Sequence, residues 1–334
     1  MKLISTALAT SAAVAAVFAV THAMAASPRD GRLGGLLAQI MSSTQASGGV
    51  MVVADGSRVW QRTVGVSDRR SHTPMRLDNR FRIASATKML VATVVLQLVG
   101  ERKLQLDEPV GSLLPGRLVG GELVTVRDLL NHTSGIYDSG PLYQAPGAFH
   151  YDNANYVLLG EIVRAVTGTS VRQAIERRVL RPLGLSTTLW PSTSVPLRLA
   201  RGYTPAGRDV TSLPARELSA ADALVSTAPD LRRFLGAMLG GRLFPGAVLP
   251  DLETAISVGW AYRLVDQRYG LGVMGFRSPC GPIWGHRGRI AGYTTFVFGS
   301  PDGRRSIVVL LNVGRISDAS VARVNPLVFA ALCA

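Results

Sequence analysis

The stretch from Ser85 to Val99 carries Met89, Leu90, Val91, Val94, Val95, Leu96 and Leu98, which put apolar side chains on nearly every side of a helix. A helix without a polar face must be covered all round by other elements. A small or single-layered fold is therefore excluded, and the core has to be large enough to enclose a whole helix. With 334 residues, 47% hydrophobic and 17% charged, the chain can build one. At roughly 150 residues per domain it should form about two domains or lobes. Apolar content this high with charge this low also excludes disorder over most of the length.

Strand patterns lie at both ends of the chain and helical patterns between them. Residues 49–66 read as two β-rich runs around Asp55-Gly56, a hairpin turn pair. A second hairpin follows from Tyr293 to Phe298, turns at Pro301-Asp302-Gly303 and returns from Ser306 to Val313. In the middle third, Thr125 to Asp128 resembles an N-terminal capping box. Asn155 to Val166 repeats apolar residues at helical spacing and is stopped by Gly168. Ser170 and Thr227 open further helices, and residues 189–215 read as loop. The expected fold is α/β in the α+β sense: an antiparallel sheet built from both chain ends and flanked by helices, with an inserted all-helical lobe. The expected boundaries are 26–104 with 239–334 for the sheet domain and 105–238 for the helical one.

The first residues speak to the compartment. Met1-Lys2 precedes an apolar, Ala- and Val-rich stretch to Val20, and Thr21-His22-Ala23-Met24-Ala25 closes on an A-x-A pattern. This is the layout of a secretory signal, residues 1–25, cut after Ala25. A retained membrane anchor is the alternative, weakened by Ser5, Thr6, Thr10 and Ser11. No later stretch approaches the roughly 18 uninterrupted apolar residues of a spanning helix, so no membrane association is expected after cleavage. The protein should then be periplasmic or secreted. Cys280 and Cys333 are the only cysteines, an even pair in an oxidising compartment, and a bridge between them is expected. Two unpaired small hydrophobes are the alternative. Neither cysteine has metal-ligand spacing to a His or another Cys, so no metal is expected.

The net charge is +14, and all but Lys2, Lys88 and Lys103 of the 36 basic residues are arginine. The charges are scattered rather than clustered, so no nucleic-acid partner is expected. The shortage of lysine gives Lys88 some interest. It stands three residues after Ser85, on one helical face with it, at the start of the buried helix. A serine there points its oxygen at the positive end of the helix dipole, and a buried lysine can become the neutral base that takes its proton. Arginine could not do so, because it does not deprotonate. The bland reading is a capping serine with an ordinary lysine. Two other segments make that reading harder to hold. Tyr151-Asp152-Asn153 and His286-Arg287-Gly288 could bring two proton carriers and a carbonyl-binding amide to one cleft.

Four stretches carry a resemblance to a known family: residues 81–88 (FRIASATK), 129–135 (LLNHTSG), 151–160 (YDNANYVLLG) and 285–293 (GHRGRIAGY). In this order they resemble the serine β-lactamase and DD-peptidase superfamily, in its branch of class C β-lactamases and streptomycete-type D-alanyl-D-alanine carboxypeptidases. The resemblance implies a β-lactamase/transpeptidase-like fold and an acyl-enzyme mechanism without metal or organic cofactor. It implies Ser85 as nucleophile, Lys88 as its base, Tyr151 as proton shuttle, Asn153 as a grip on the substrate carbonyl and His286 in place of the lactamase K-T-G lysine. The backbone N–H groups of Ser85 and Arg289 would form the oxyanion hole, with Gly288 allowing close approach. The implied substrate is a peptidoglycan-type peptide ending in D-Ala-D-Ala, with β-lactams as covalent ligands. A β-lactamase, an esterase or a catalytically silent penicillin- or peptidoglycan-binding module are the alternatives. Two departures stand out. Asp222 replaces a common glycine, and Arg287 stands where relatives carry a hydroxyl or glycine, so one of the arginines at 287 and 289 is expected to hold a substrate carboxylate. Strand alternation would send His286 and Gly288 to one face and Arg287 and Arg289 to the other, and the alternative is that Arg287 points into solvent.

Overall fold

A computed structural model of the chain describes residues 28–137, 145–191, 196–212, 219–244, 256–257, 267–314 and 316–333. The expected signal segment, residues 1–25, lies outside them. Helix α1 (Pro28–Thr44) leads into β1 (Gly48–Asp55) and β2 (Arg58–Asp68), the hairpin expected around Asp55-Gly56. Short strands β3 (Thr73–Pro74) and β4 (Phe81–Arg82) precede a 3₁₀ turn (Ala84–Ala86) and α2 (Thr87–Gly100). Then come α3 (Val110–Leu113), α4 (Val126–Asn131), α5 (Ala154–Thr167) and α6 (Val171–Ile175), which runs on as a π turn to Leu180. Strand β5 (Val225–Ser226) and α7 (Ala228–Leu239) follow. The chain closes with β6 (Ile256–Ser257), β7 (Arg268–Tyr269), β8 (Met274–Ser278), β9 (Gly281–Ile290), β10 (Tyr293–Gly299), β11 (Arg305–Leu311) and α8 (Asp318–Leu332).

Among the described residues, one antiparallel sheet runs β3-β2-β1-β11-β10-β9-β8-β7-β6. Within it β1 pairs with β11, so the two chain ends meet in one sheet as expected. Alternation along the strands creates two apolar faces. Val52, Val297, Val308 and Leu310 belong to the core shared with α2 and α7. Met51, Val53, Phe296, Phe298, Ile307 and Val309 belong to a second core with α1 and α8. Helix α2 lies inside the first core, buried from Thr87 to Leu98, with α5 and α6 against it. The apolar run demanded this cover.

The local signals act as read. Thr125 and Asp128 form a capping box on α4, Ser170 and Gln173 form another on α6, and Gly168 ends α5 in the left-handed conformation. Strand β9 is the main departure. Its sequence GPIWGHRGRI offers three glycines, a proline and two arginines, so no strand pattern is visible before the last hairpin. Neighbours impose the conformation instead: β10 pairs with its whole second half and β8 with its first. The β8 register ends at Met274 opposite Gly285. Beyond that point the edge of β9 packs against the Ala84–Ala86 turn. Gly288 makes the approach possible, since a Cβ there would stand 2.1 Å from the Ile83 carbonyl oxygen.

Cys280, in the turn between β8 and β9, is bonded to Cys333 at the end of α8, with Cα atoms 5.6 Å apart. The bond ties the last helix to the sheet. Closing a loop of 53 residues stabilises the fold by about 4 kcal/mol in the chain-entropy model. Denatured, unreduced protein should therefore show no titratable thiol. Cys333→Ser should lower the unfolding free energy in urea by about 2–4 kcal/mol; an unchanged midpoint would show that the bond holds nothing in place.

Candidate active site

The site begins with a strained residue. Ala84 has φ +49, in the left-handed region that costs a non-glycine residue about 1–2 kcal/mol. The conformation is held from two sides, by the Ile83 N–H donated to the Leu224 carbonyl at 3.0 Å and by the backbone of Gly288. It turns the chain from β4 into the 3₁₀ turn and leaves Ser85 as the one half-buried residue between buried Ala84 and Ala86. Ser85 therefore sits just before α2 proper, yet the three-residue spacing still works: Lys88 Nζ lies 3.3 Å from Ser85 Oγ.

Lys88 has no exposed surface. Its Nζ also reaches Asn153 Oδ1 at 2.7 Å and the Ala221 carbonyl at 3.2 Å. The rings of Tyr151 and Tyr156 lie with their centroids 4.9 and 5.4 Å from it. Burial pulls its pKa down from 10.5 to about 7, against the opposing charges of Asp222 and Asp152. The contacts assign a direction to the neutral amine. Two of its three partners are carbonyl oxygens, which only accept, so they take its two N–H groups. The lone pair is left facing the Ser85 hydroxyl. This arrangement can remove the serine proton without metal chemistry.

Tyr151 and Asn153 arrive together at the start of α5. Asn153 is exposed, and its Oδ1 is the half of the amide engaged by Lys88. Tyr151 is packed in a ring cluster, with centroids 4.3 Å from His132, 6.0 Å from Tyr269 and 6.2 Å from His286.

His286 is fully buried, and both its ring nitrogens are engaged. Nδ1 is 2.5 Å from the Arg287 carbonyl, which makes it the protonated nitrogen, and Nε2 accepts from the Tyr269 hydroxyl at 3.0 Å. Burial, with the Lys88 charge adding to it, lowers its pKa to about 3, so it stays neutral. With both nitrogens so engaged, the ring links Tyr269 to the main chain of β9.

Arg287 and Arg289 correct the expectation of a carboxylate-holding arginine. The pleat sends His286 and Gly288 toward Ser85 and both arginines to the opposite face. There Arg287 Cζ stands 5.5 Å over the Phe276 ring, and Arg289 Nη1 pairs with Asp318 at 2.8 Å. From these two residues only the backbone can reach the Ser85 cleft. Asp222 accepts from the backbone and hydroxyl of Ser219, shaping the turn that presents the Ala221 carbonyl to Lys88. Tyr269 and His132 enter the site without having been singled out as functional residues. Tyr269 comes from a two-residue strand with no pattern of its own. Among the described residues no group of three or more His, Cys, Asp or Glu could hold a metal ion.

Known proteins resemble this chain in sequence and in fold. The chain is 25% identical over 306 residues to the putative penicillin-binding protein PbpX of Bacillus subtilis, covering 84% of this chain and 73% of that protein. It is 34% identical over 194 residues to the esterase EstB of Burkholderia gladioli, covering 46% of this chain and 50% of the esterase. A D-stereospecific amidohydrolase from Streptomyces sp. superposes with a TM-score of 0.77 at 30% identity, covering 89% of this chain and 98% of that one. The model of the family described as Beta-lactamase matches residues 33–328. The chain belongs to this family of serine hydrolases, the β-lactamase and penicillin-binding protein superfamily.

Proposed function

We propose that the protein is an exported serine hydrolase that works through an acyl-enzyme on Ser85, cleaving amide bonds whose acyl donor is a D-residue. The D-alanyl-D-alanine end of a peptidoglycan peptide is the expected case, with β-lactams as covalent ligands. The observation that carries this reading is the fully buried Lys88, 3.3 Å from Ser85 Oγ and with a pKa of about 7. Ser85 Oγ attacks the substrate carbonyl as Lys88 takes its proton. The oxyanion rests on the backbone N–H groups of Ser85 and Arg289, and Asn153 Nδ2 holds the acyl amide. Tyr151 passes the proton to the leaving nitrogen as the C–N bond breaks. Water then attacks the ester with Tyr151 and Lys88 running in reverse, and Ser85 recovers its proton. The relative named a D-stereospecific amidohydrolase supports the D-residue, and the putative penicillin-binding relative supports acylation by penicillins.

Esterase action is the second reading. Neither Arg287 nor Arg289 offers its side chain to a substrate carboxylate, and His286 is neutral, a setting suited to an uncharged ester. Hydrolysis of a D-Ala-D-Ala peptide set against p-nitrophenyl acetate separates the two readings.

Incubation with penicillin G followed by intact-protein mass should show a covalent adduct that Ser85→Ala abolishes; an adduct that survives in this variant overturns the nucleophile. Because Lys88 acts only when neutral, acylation should rise with pH along a limb centred near pH 7. His286, with a pKa of about 3, should add no inflection there. Lys88→Arg should cost at least ~100-fold in acylation, and near-normal acylation would reduce the lysine to a structural part. Gly288→Ala should drive β9 off the Ile83 carbonyl and lower acylation by about 100-fold, the scale set by misplacing a reacting group by about 1 Å. Wild-type rates in this variant would mean that β9 does not shape the cleft.

A further inference from the structure

The stretch from Leu129 to Gly135 is one of the four that carry the family resemblance, and the mechanism above gives it nothing to do. In the structure it is wired to the segment that bears Tyr151, and His132 is the point of contact. His132 ends α4 with φ +63, a left-handed position that glycine or asparagine usually takes. Its side chain is fully buried. Its carbonyl accepts the N–H of His150 at 2.8 Å. Its Nδ1 accepts the N–H of Asp152 at 3.3 Å and the Asn155 side-chain amide at 3.1 Å. One residue thus grips the chain on both sides of Tyr151 and stacks its ring against the phenol ring, 4.3 Å away and tilted by 35°.

The rest of the stretch fixes that grip. Asn155 Oδ1 accepts from Ser134 Oγ at 2.5 Å, and Thr133 is bonded to Asp128 and Asn131. Tyr269 and Tyr156 close on the far sides of the imidazole, with centroids at 4.9 and 5.3 Å. Two donors converge on Nδ1, so the proton sits on Nε2 and the ring is uncharged. Among the described residues Nε2 has no hydrogen-bond partner, although it is buried. An apolar ring of similar size would avoid that cost, so packing alone does not account for a histidine here.

We propose that His132 is the positioning residue for Tyr151, holding the phenol beside Lys88 through the Asp152 N–H, the His150 N–H and the ring stack. This rests on the proton-shuttle role given to Tyr151 above. Histidine suits the task because its Nδ1 is an acceptor on a flat ring that tolerates the left-handed backbone better than a branched or bulky residue does.

The test is a double-mutant cycle. His132→Phe keeps a ring and loses the acceptor, and His132→Asn keeps an acceptor and the left-handed tolerance. Each is made in the wild-type and Tyr151→Phe backgrounds, and kcat and KM are measured with p-nitrophenyl acetate alongside the rate of Ser85 acylation by penicillin G. His132→Phe should lower kcat and the acylation rate by about 10- to 100-fold with KM little changed. The loss should be larger for penicillin G, whose leaving nitrogen needs a proton, than for the ester, whose nitrophenolate does not. His132→Asn should recover part of it, and in the Tyr151→Phe background neither variant should cost anything further. If Tyr151→Phe slows the reaction and His132→Phe costs the same factor in both backgrounds, His132 is a packing residue and the proposal is overturned while the mechanism stands. If Tyr151→Phe slows neither reaction, the shuttle role falls and this proposal falls with it.

Discussion

Lys88 sits on a helix covered on every side, and an amine in that position loses nearly all its hydration. The displacement of its pKa from 10.5 to about 7 corresponds to about 5 kcal/mol against the charged form. Much of the architecture follows from meeting this demand. Asn153 and Ala221 supply carbonyl oxygens for its N–H groups, from the start of α5 and from the turn before β5. Asp222 shapes that turn, and its charge works against the full loss of the proton. Asp152 adds to the same opposing charge. With it, the group stays within reach of protonation near neutral pH, as the base role proposed for it requires.

The same burial makes the neighbours neutral. The Lys88 charge disfavours the charged form of both histidines, and both imidazoles are lowered first by burial and next by the lysine. Once uncharged, each ring can serve as a fixed hydrogen-bond partner: His132 accepts from the Tyr151 segment, and His286 links Tyr269 to its own strand. The cluster of rings around Tyr151 is therefore a wall of uncharged groups, in which the mechanism proposed above needs one mobile proton, shared among Ser85, Lys88 and Tyr151.

Much of this was legible where the information is local. Ser85 and Lys88 meet because three residues are about one helical turn, and the hairpin at Asp55-Gly56, the caps at Thr125 and Ser170 and the stop at Gly168 act through near neighbours. What was hidden depends on distant partners. Strand β9 has no pattern of its own and is extended because β8 and β10 hold it. His132 and Tyr269 gain their roles from contacts 17 to 23 residues away. Alternation correctly separated His286 and Gly288 from Arg287 and Arg289. Which pair faces Ser85 was decided by something alternation does not contain: the collision a side chain at 288 would have with Ile83.

This division of β9 keeps two of the chain's many arginines away from Ser85. Arginine cannot shed its proton, so any arginine aimed at Ser85 would hold a permanent positive charge beside Lys88 and depress the lysine's affinity for its proton further. The pleat sends Arg287 over Phe276 and Arg289 to Asp318, at the other face of the sheet, and leaves to the site only the main chain between them. A strand that presents glycine and neutral histidine on one side and arginine on the other would let the backbone N–H groups proposed for the oxyanion act in a medium of low dielectric, where a dipole is worth most. The placement of both arginines away from Ser85 and the close approach of the β9 main chain to it are thus two consequences of one strand register, fixed by the glycine at 288.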